Sequence, residues 1–186
     1  MRVRLLPWRE LSGAHRRWVL LNAVVITALI NAGLNAAIAW MSVRNQHSVP
    51  AWGLPLVGKV STVVDTVGTL FFLPLITTLL CTTAVWRELR AGRFGRLDAG
   101  SSHAVHRLPV GRLRRGLVLG ALCLLGAPLI VVVLVAVGFG DVSNTAFVLY
   151  KAAFAVALGA VVTPVIAVRA MADDVLAGRR VITPTH

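Results

Sequence analysis

Residues 59–86 read KVSTVVDTVGTLFFLPLITTLLCTTAVW, which is lipid-soluble sequence except for one acid, one internal proline and several threonines. After Asp65 come 21 uncharged residues, 66–86. This is enough for about 30 Å of helix and therefore for one crossing of a bilayer. On a helical wheel Thr62 and Thr69 lie on the same side as Asp65, so one polar stripe runs along the helix. We expect the other helices to pack around this one.

The second and fourth predicted spans each contain an internal proline, Pro74 and Pro164. Proline has no N–H group, so the carbonyls of Leu70 and Ala160 lose their helical hydrogen bonds. The hydrocarbon core of a bilayer supplies no water to replace those bonds. The two prolines therefore predict helix breaks, at positions where neighbouring helices must supply other partners.

The composition indicates a membrane protein. Hydrophobic residues make up 57% of the chain, charged residues 14%, and the mean hydropathy is +0.79, which excludes a soluble domain and a disordered chain. The net charge is +12, but 13 of the 19 basic residues lie in 1–17 and 87–116, as expected for cytoplasmic flanks. We therefore expect the lipid bilayer, and no nucleic acid, as a partner. Arginine outnumbers lysine by 17 to 2, which suggests a bacterial gene. We expect a multi-pass protein of the inner (plasma) membrane.

The predicted fold class is all-α integral membrane: an antiparallel four-helix transmembrane bundle with N and C termini cytoplasmic. The predicted spans are residues 18–43, 59–86, 116–140 and 146–168. The predicted connections are a cytoplasmic amphipathic lead-in at 1–17, an outside loop at 44–58, a basic cytoplasmic loop at 87–115, an outside turn at 141–145 and a cytoplasmic tail at 169–186. The short outside turn also predicts that the third and fourth spans are antiparallel neighbours.

The first span carries amides on one face. Thr27, Asn31 and Asn35 recur at four-residue spacing and so share a side of the helix. An asparagine in hydrocarbon needs a hydrogen-bond partner, and neighbouring helices are the usual source. Two interpretations stay open: hydrogen bonds that hold helices together, or the lining of a polar path.

Two charges are predicted inside the spans, Asp65 and Lys151, and Asn35 should reach a similar depth. A charge at the bilayer centre costs about 2.5–3.5 kcal/mol, and less near the edge, so neither residue serves solubility. We hypothesise a polar cluster in the outside half of the bundle. Its candidate residues are Asn31, Asn35, Thr62, Asp65, Thr66, Thr69 and Lys151. The alternative is that Lys151 extends to the headgroups and that Asp65 caps the start of its helix.

Small residues predict close helix packing in the third and fourth spans. Gly116 and Gly120 are four residues apart, a spacing that lets another backbone approach. Ala155, Gly159 and Thr163 form a similar stripe. The two halves of the chain also share an order of basic flank, helix, turn and proline-containing helix. This order predicts two hairpins of the same orientation, through duplication or through shared hairpin physics.

The basic loop supplies the remaining candidates. Arg112, Arg114 and Arg115 precede the third span and are interpreted as an anionic-lipid headgroup patch, worth about 1 kcal/mol per residue. His103 and His106 stand three residues apart, but no Cys or carboxylate lies at ligand spacing nearby. We therefore predict no metal site, and no motif indicates a cofactor.

Three functions are compatible with these features. The first is a small permease- or channel-like membrane protein, expected to be a homo-oligomer because four helices leave little room for a path through one copy. The second is a non-catalytic membrane subunit or anchor that docks a partner membrane subunit through its Arg-rich cytoplasmic loop. The third is a membrane enzyme acting on lipid or quinone, with Asp98, His103 and His106 as its candidates, although we expect no enzyme.

Overall fold

The computed structural model describes residues 11–53, 60–97, 104–136 and 140–173, and within these ranges its regular structure is helical. One isolated bridge joins Val49 to Val142. The helical elements are α1 (Gly13–Trp18), a π-helical segment (Val19–Ile26), α2 (Thr27–Val43), α3 (Thr62–Arg90), a 3₁₀ turn (Ala104–Arg107), α4 (Arg112–Leu124), α5 (Ala127–Ala136) and α6 (Asn144–Met171). Most of the predicted amphipathic lead-in, residues 1–10, and the tail at 174–186 lie outside the described residues.

The structure confirms four helical stretches that are long and apolar enough to cross a membrane, as expected for a multi-pass membrane protein. We call them spans 1 to 4, and they cover Gly13–Val43, Thr62–Arg90, Arg112–Ala136 and Asn144–Met171. Span 3 is divided between α4 and α5 at residues 125–126. Pro128 explains this division, because it cannot donate the next helical hydrogen bond and fits best in the first turn of a new helix.

Local signals set the helix ends. The Ser143 hydroxyl accepts a hydrogen bond from the Ala146 N–H and so caps α6. Just after the C-terminal end of α3, Gly92 has a φ of 68°. This left-handed conformation suits glycine and ends the helix.

The two central helices, α3 and α6, run parallel. Thr66 contacts Tyr150 near their first residues, and Trp86 contacts Asp173 at their far ends. We call these the Lys151 end and the Arg115 end of the molecule. Spans 2 and 4 are the more buried pair, whereas most of spans 1 and 3 is exposed. This arrangement places α3 and α6, which carry Pro74 and Pro164, at the centre of the described helices.

Span 3 packs on span 2, and the prediction that it neighbours span 4 is wrong. Within the described ranges, α4 has extensive contact with α3, and neither α4 nor α5 has extensive contact with α6, which is covered by α2 instead. The reason lies in Gly116 and Gly120. A Cβ atom at Gly120 would lie 2.8 Å from the carbonyl oxygen of Phe71, and one at Gly116 would lie 3.2 Å from that of Leu75. The predicted close approach therefore exists, and it favours α3 as the partner.

The predicted helix breaks at the prolines are also wrong. Both α3 and α6 continue through their prolines, Pro74 and Pro164. Each proline removes one ladder hydrogen bond, but the turns on either side remain bonded and are held by the packed neighbours. Next to the first proline, the Thr78 hydroxyl donates to the Pro74 carbonyl at 2.6 Å.

Replacing Gly120 by leucine is expected to destabilise the protein by about 1–3 kcal/mol, because the new side chain must displace the α3 backbone at Phe71. The measurement is unfolding of the purified protein in detergent. Gly33→Leu is the matched control, because Gly33 is exposed in α2 and an added Cβ would meet nothing within 4 Å. Equal stability of the two variants would contradict the close approach of α4 to α3.

Candidate functional site

Lys151 and Asp65 form an ion pair between α6 and α3, near the end at which both helices begin. The Lys151 ammonium group donates hydrogen bonds to Oδ2 of Asp65 and to Oγ1 of Thr69, the latter at 2.7 Å. The Lys151 side chain is 6% exposed and the Asp65 side chain 22%. Lys151 therefore points into the protein instead of extending to a headgroup region, and Asp65 does more than cap its own helix.

Threonines of α3 surround this pair. The Thr66 hydroxyl donates to the carbonyl of Thr62 at 2.7 Å, and the Thr69 hydroxyl donates to the carbonyl of Asp65 at 2.7 Å. Because these hydroxyl protons are used within the helix, the oxygen of Thr69 is left as the acceptor for Lys151. The Thr62 hydroxyl is buried without a hydrogen-bond partner among the described residues.

Tyr150 belongs to this cluster and is absent from the residues predicted for it. Its hydroxyl lies 2.8 Å from Oγ1 of Thr66. A signal was available in the sequence, because Tyr150 is the one tyrosine of the chain and directly precedes Lys151. A buried tyrosine hydroxyl needs a hydrogen-bond partner.

The two asparagines of α2 lie close to the ion pair without bonding to it. The side-chain amide of Asn35 donates to the backbone carbonyl of Asn31 at 2.9 Å. Asn31 is buried, and its Nδ2 has no hydrogen-bond partner among the described residues. It lies against Gly159, where a Cβ atom would be 2.6 Å away. The small-residue stripe of span 4 therefore accommodates an amide of span 1, and the expected bond between Asn35 and the two charges is not present.

A cavity of about 260 Å³ lies beside the ion pair, between α2, α3 and α6. Six polar side chains line it: Asn31, Asn35, Asp65, Thr69, Thr77 and Lys151. The rest of the lining is mainly apolar and includes Phe72 and Ile76 of α3, which are exposed on the surface of the protein. The structure thus brings six polar side chains from three helices to one cavity, which opens between exposed apolar side chains.

A second buried charge cluster lies at the Arg115 end. Nη2 of Arg115 donates to both carboxylate oxygens of Asp173, at 2.9 and 2.7 Å. Arg169 donates to the same carboxylate at 2.7 Å, and the indole N–H of Trp86 does so at 3.1 Å. Asp173 therefore joins groups from α3, α4 and α6. We call these four residues the Asp173 cluster.

The assignment of Arg115 to a lipid headgroup patch is wrong, because its side chain is fully buried. Its Nε donates to the carbonyl of Pro109 at 3.0 Å, Nη2 also donates to that of Val110 at 2.8 Å, and Nη1 donates to Oγ1 of Thr82 at 3.4 Å. Arg115 lies on the face of α4 that carries Gly116 and packs on α3. Arg112 and Arg114 are exposed, and their role at the headgroups stays a prediction.

Asp173 is absent from the functional residues that the sequence predicts. Its signal is the scarcity of acids: the chain has 7 acidic against 19 basic residues. An acid directly after the last span is therefore a strong candidate partner for a buried arginine. Of the candidates for an enzyme, Asp98 and His103 lie outside the described residues, as does the side chain of His106.

The site offers binding chemistry. One carboxylate oxygen pair, one ammonium group and one buried amide stand at a cavity with apolar walls, which suits recognition of a small molecule by a few placed hydrogen bonds. The cavity thus favours a binding function. Ionisable residues within apolar spans are costly, and they usually mark functional sites in membrane proteins. No protein-family model, no curated protein and no solved structure matches this chain.

Proposed function

We propose that this chain is a small permease- or channel-like membrane protein that binds its solute in the cavity beside Asp65 and Lys151. The single observation that carries this proposal is an ion pair within two apolar spans that borders an open cavity. Ionisable residues inside membrane spans are costly, and they usually mark solute or ion pathways. Of the two charged groups, Asp65 is the more exposed and is the one we expect the solute to contact.

The proposed topology is an antiparallel membrane bundle with both termini in the cytoplasm of a bacterium. Its support is the distribution of exposed arginines along the molecule. Those at the Arg115 end include Arg16, Arg17, Arg87, Arg90, Arg112 and Arg114, whereas Arg44 is exposed at the Lys151 end. Basic residues concentrate on the cytoplasmic side of membrane proteins. The cavity would then lie toward the outside.

We propose further that the protein acts as a homo-oligomer or together with a partner membrane subunit. The cavity is bordered by three helices, and exposed side chains such as Leu34, Ile38, Phe72 and Ile76 stand at its edge. Three helices do not enclose a pathway across the whole bilayer, so another copy or a partner subunit would supply the remaining wall while this edge stays open to the lipid. Native mass measurement in detergent tests this directly.

Flux through proteoliposomes tests the proposal. Protein in vesicles of phosphatidylethanolamine and phosphatidylglycerol is assayed for movement of glycerol, a neutral solute with hydroxyl groups, and of protons and potassium ions. We expect measurable flux of glycerol, because the charges of Asp65 and Lys151 cancel and leave no net charge to bind an ion. Asp65→Asn should reduce it about tenfold or more, because a hydrogen bond to a charged group contributes about 1.5–3 kcal/mol.

Two further variants make this test decisive. Asp141→Asn is the matched control, because Asp141 is an exposed acid at the same end and does not line the cavity. Asp65→Asn combined with Lys151→Met removes both charges without leaving an unpaired one, so it separates misfolding from loss of the site. Absence of flux in the wild type, or wild-type flux in the double variant, would contradict the proposal.

A second candidate function is a membrane subunit or anchor that docks a partner through the Arg-rich loop. The observation that favours it is the exposure of Arg87, Arg90, Arg107, Arg112 and Arg114. Neutralising these residues together should release a stoichiometric partner that co-purifies with the wild type. Flux that survives this change would favour the first function.

A further inference from the structure

We infer that the solute of this cavity is a neutral amphiphile of about nine non-hydrogen atoms with a hydroxyl or amide head, which enters sideways from the bilayer. This inference rests on the proposed function and adds the chemical class of the ligand. Four observations carry it: the charge balance of the ion pair, the accessible carboxylate of Asp65, the volume of the cavity and its apolar side.

The charge balance argues against a lone ion. Lys151 and Asp65 are in contact, so their charges cancel at the cavity wall. A cation bound at Asp65 would leave one uncompensated positive charge, and an anion bound at Lys151 would leave one negative charge. An uncompensated charge is strongly disfavoured in a site shielded from water. A neutral ligand leaves the balance unchanged.

The free atoms of the pair select the head of the ligand. Oδ2 of Asp65 accepts from Lys151, and among the described residues no hydrogen bond to Oδ1 is formed. Because the Asp65 side chain is partly exposed and lines the cavity, its carboxylate is available there. An ionised carboxylate only accepts hydrogen bonds. The head must therefore donate one, as a hydroxyl or an amide N–H does.

The dimensions of the cavity select the body of the ligand. Its lining on α3 extends from Asp65 to Thr77, about 18 Å along the helix axis. The volume of the cavity is about 260 Å³. This volume holds about nine groups the size of a water molecule. One alkyl chain of eight carbons with a hydroxyl head has nine non-hydrogen atoms and fits this space.

The apolar side of the cavity indicates the route of entry. Leu34 and Ile38 of α2 and Phe72 and Ile76 of α3 line the cavity and are also exposed on the protein surface. These positions lie within apolar spans, so this opening faces acyl chains. An amphiphile dissolved in the bilayer can enter with its chain along these residues and its head toward Asp65.

Gly68 provides a variant that fills the cavity without disturbing the helix. Gly68 lines the cavity, and an added Cβ atom would meet nothing within 4 Å. The cavity holds about nine groups the size of a water molecule. The four carbon atoms of a leucine side chain at this position would occupy about half of that space. Gly33→Leu is the matched control, since Gly33 is exposed, has equally open surroundings and does not line the cavity.

Photolabelling of the protein in lipid nanodiscs tests the inference, with a diazirine derivative of 1-octanol as the probe. We expect adducts on the segment from Asp65 to Ile76, located by mass spectrometry. Excess 1-octanol should remove them, whereas octylammonium and octanoate at the same membrane concentration should not. Gly68→Leu should reduce the adducts about tenfold, and Gly33→Leu should leave them unchanged.

The outcomes separate this inference from the proposed function. Equal competition by octylammonium would overturn the neutral class, and labelling that is insensitive to Gly68→Leu would overturn the site. If flux depends on Asp65 but no adducts form in the cavity, the inference fails and the proposed function stands. If adducts form as expected while the wild type conducts no flux, the site stands as a binding site and the permease function fails.

Discussion

Asp173→Asn is expected to destabilise the protein by about 3–5 kcal/mol, because it removes the carboxylate that two buried arginines share. Arg115 is bound at both oxygens, its side chain is fully buried, and that of Asp173 is 2% exposed. The buried guanidinium group of Arg169 would also lose Asp173 as its charged partner. The free energy of unfolding in detergent, measured against denaturant, is the readout.

The surface ion pair between Glu88 and Arg93 is the control for this prediction. It has similar geometry, with an N–O distance of 2.9 Å, but the Arg93 side chain is 70% exposed. Pairs of this kind contribute about 0–1 kcal/mol, so Glu88→Gln should change the stability little. If Asp173→Asn were as mild as Glu88→Gln, the Asp173 cluster would not hold the ends of α3, α4 and α6 together.

The features that could be predicted from the sequence are local ones. Four apolar runs were enough to predict four long helices, because length and hydropathy are properties of one segment. The depth of Asp65 and of Lys151 also follows from position along a helix. Their contact follows once α3 and α6 are placed side by side and parallel. The small stripe at Gly116 and Gly120 correctly indicated a close approach.

The features that could not be predicted depend on which helices meet. Arg115 stands among arginines that are exposed, and only the packing of α4 on α3 distinguishes it from Arg112 and Arg114. The side-chain amide of Asn35 could donate a hydrogen bond to a neighbouring helix or to the carbonyl of Asn31. It donates to the carbonyl, because that acceptor lies one turn away in the same helix. Pro74 removes one hydrogen bond, and continuation of the helix depends on its neighbours.

Asp65→Asn is expected to destabilise the protein by about 3 kcal/mol, because it leaves the Lys151 ammonium group buried without a charged partner. This value is at the lower end of the range for buried pairs, since the Asp65 side chain is 22% exposed and is therefore only partly buried. Thr69 would still accept one hydrogen bond from Lys151. Unfolding in detergent measures the loss, and Asp141→Asn, which alters an exposed acid, should show almost none.

Adding Lys151→Met to Asp65→Asn should restore stability to within about 1 kcal/mol of the wild type, since it removes the buried ammonium group that Asp65→Asn leaves without a charged partner. Methionine matches the length of the lysine stem and fills the space between α6 and α3. A double variant less stable than Asp65→Asn would show that the two charges do not act as a pair. A stable double variant without flux would separate the two roles of these residues. The pair would then be dispensable for folding. Since two charges between apolar spans are costly, the pair must be retained for binding the solute.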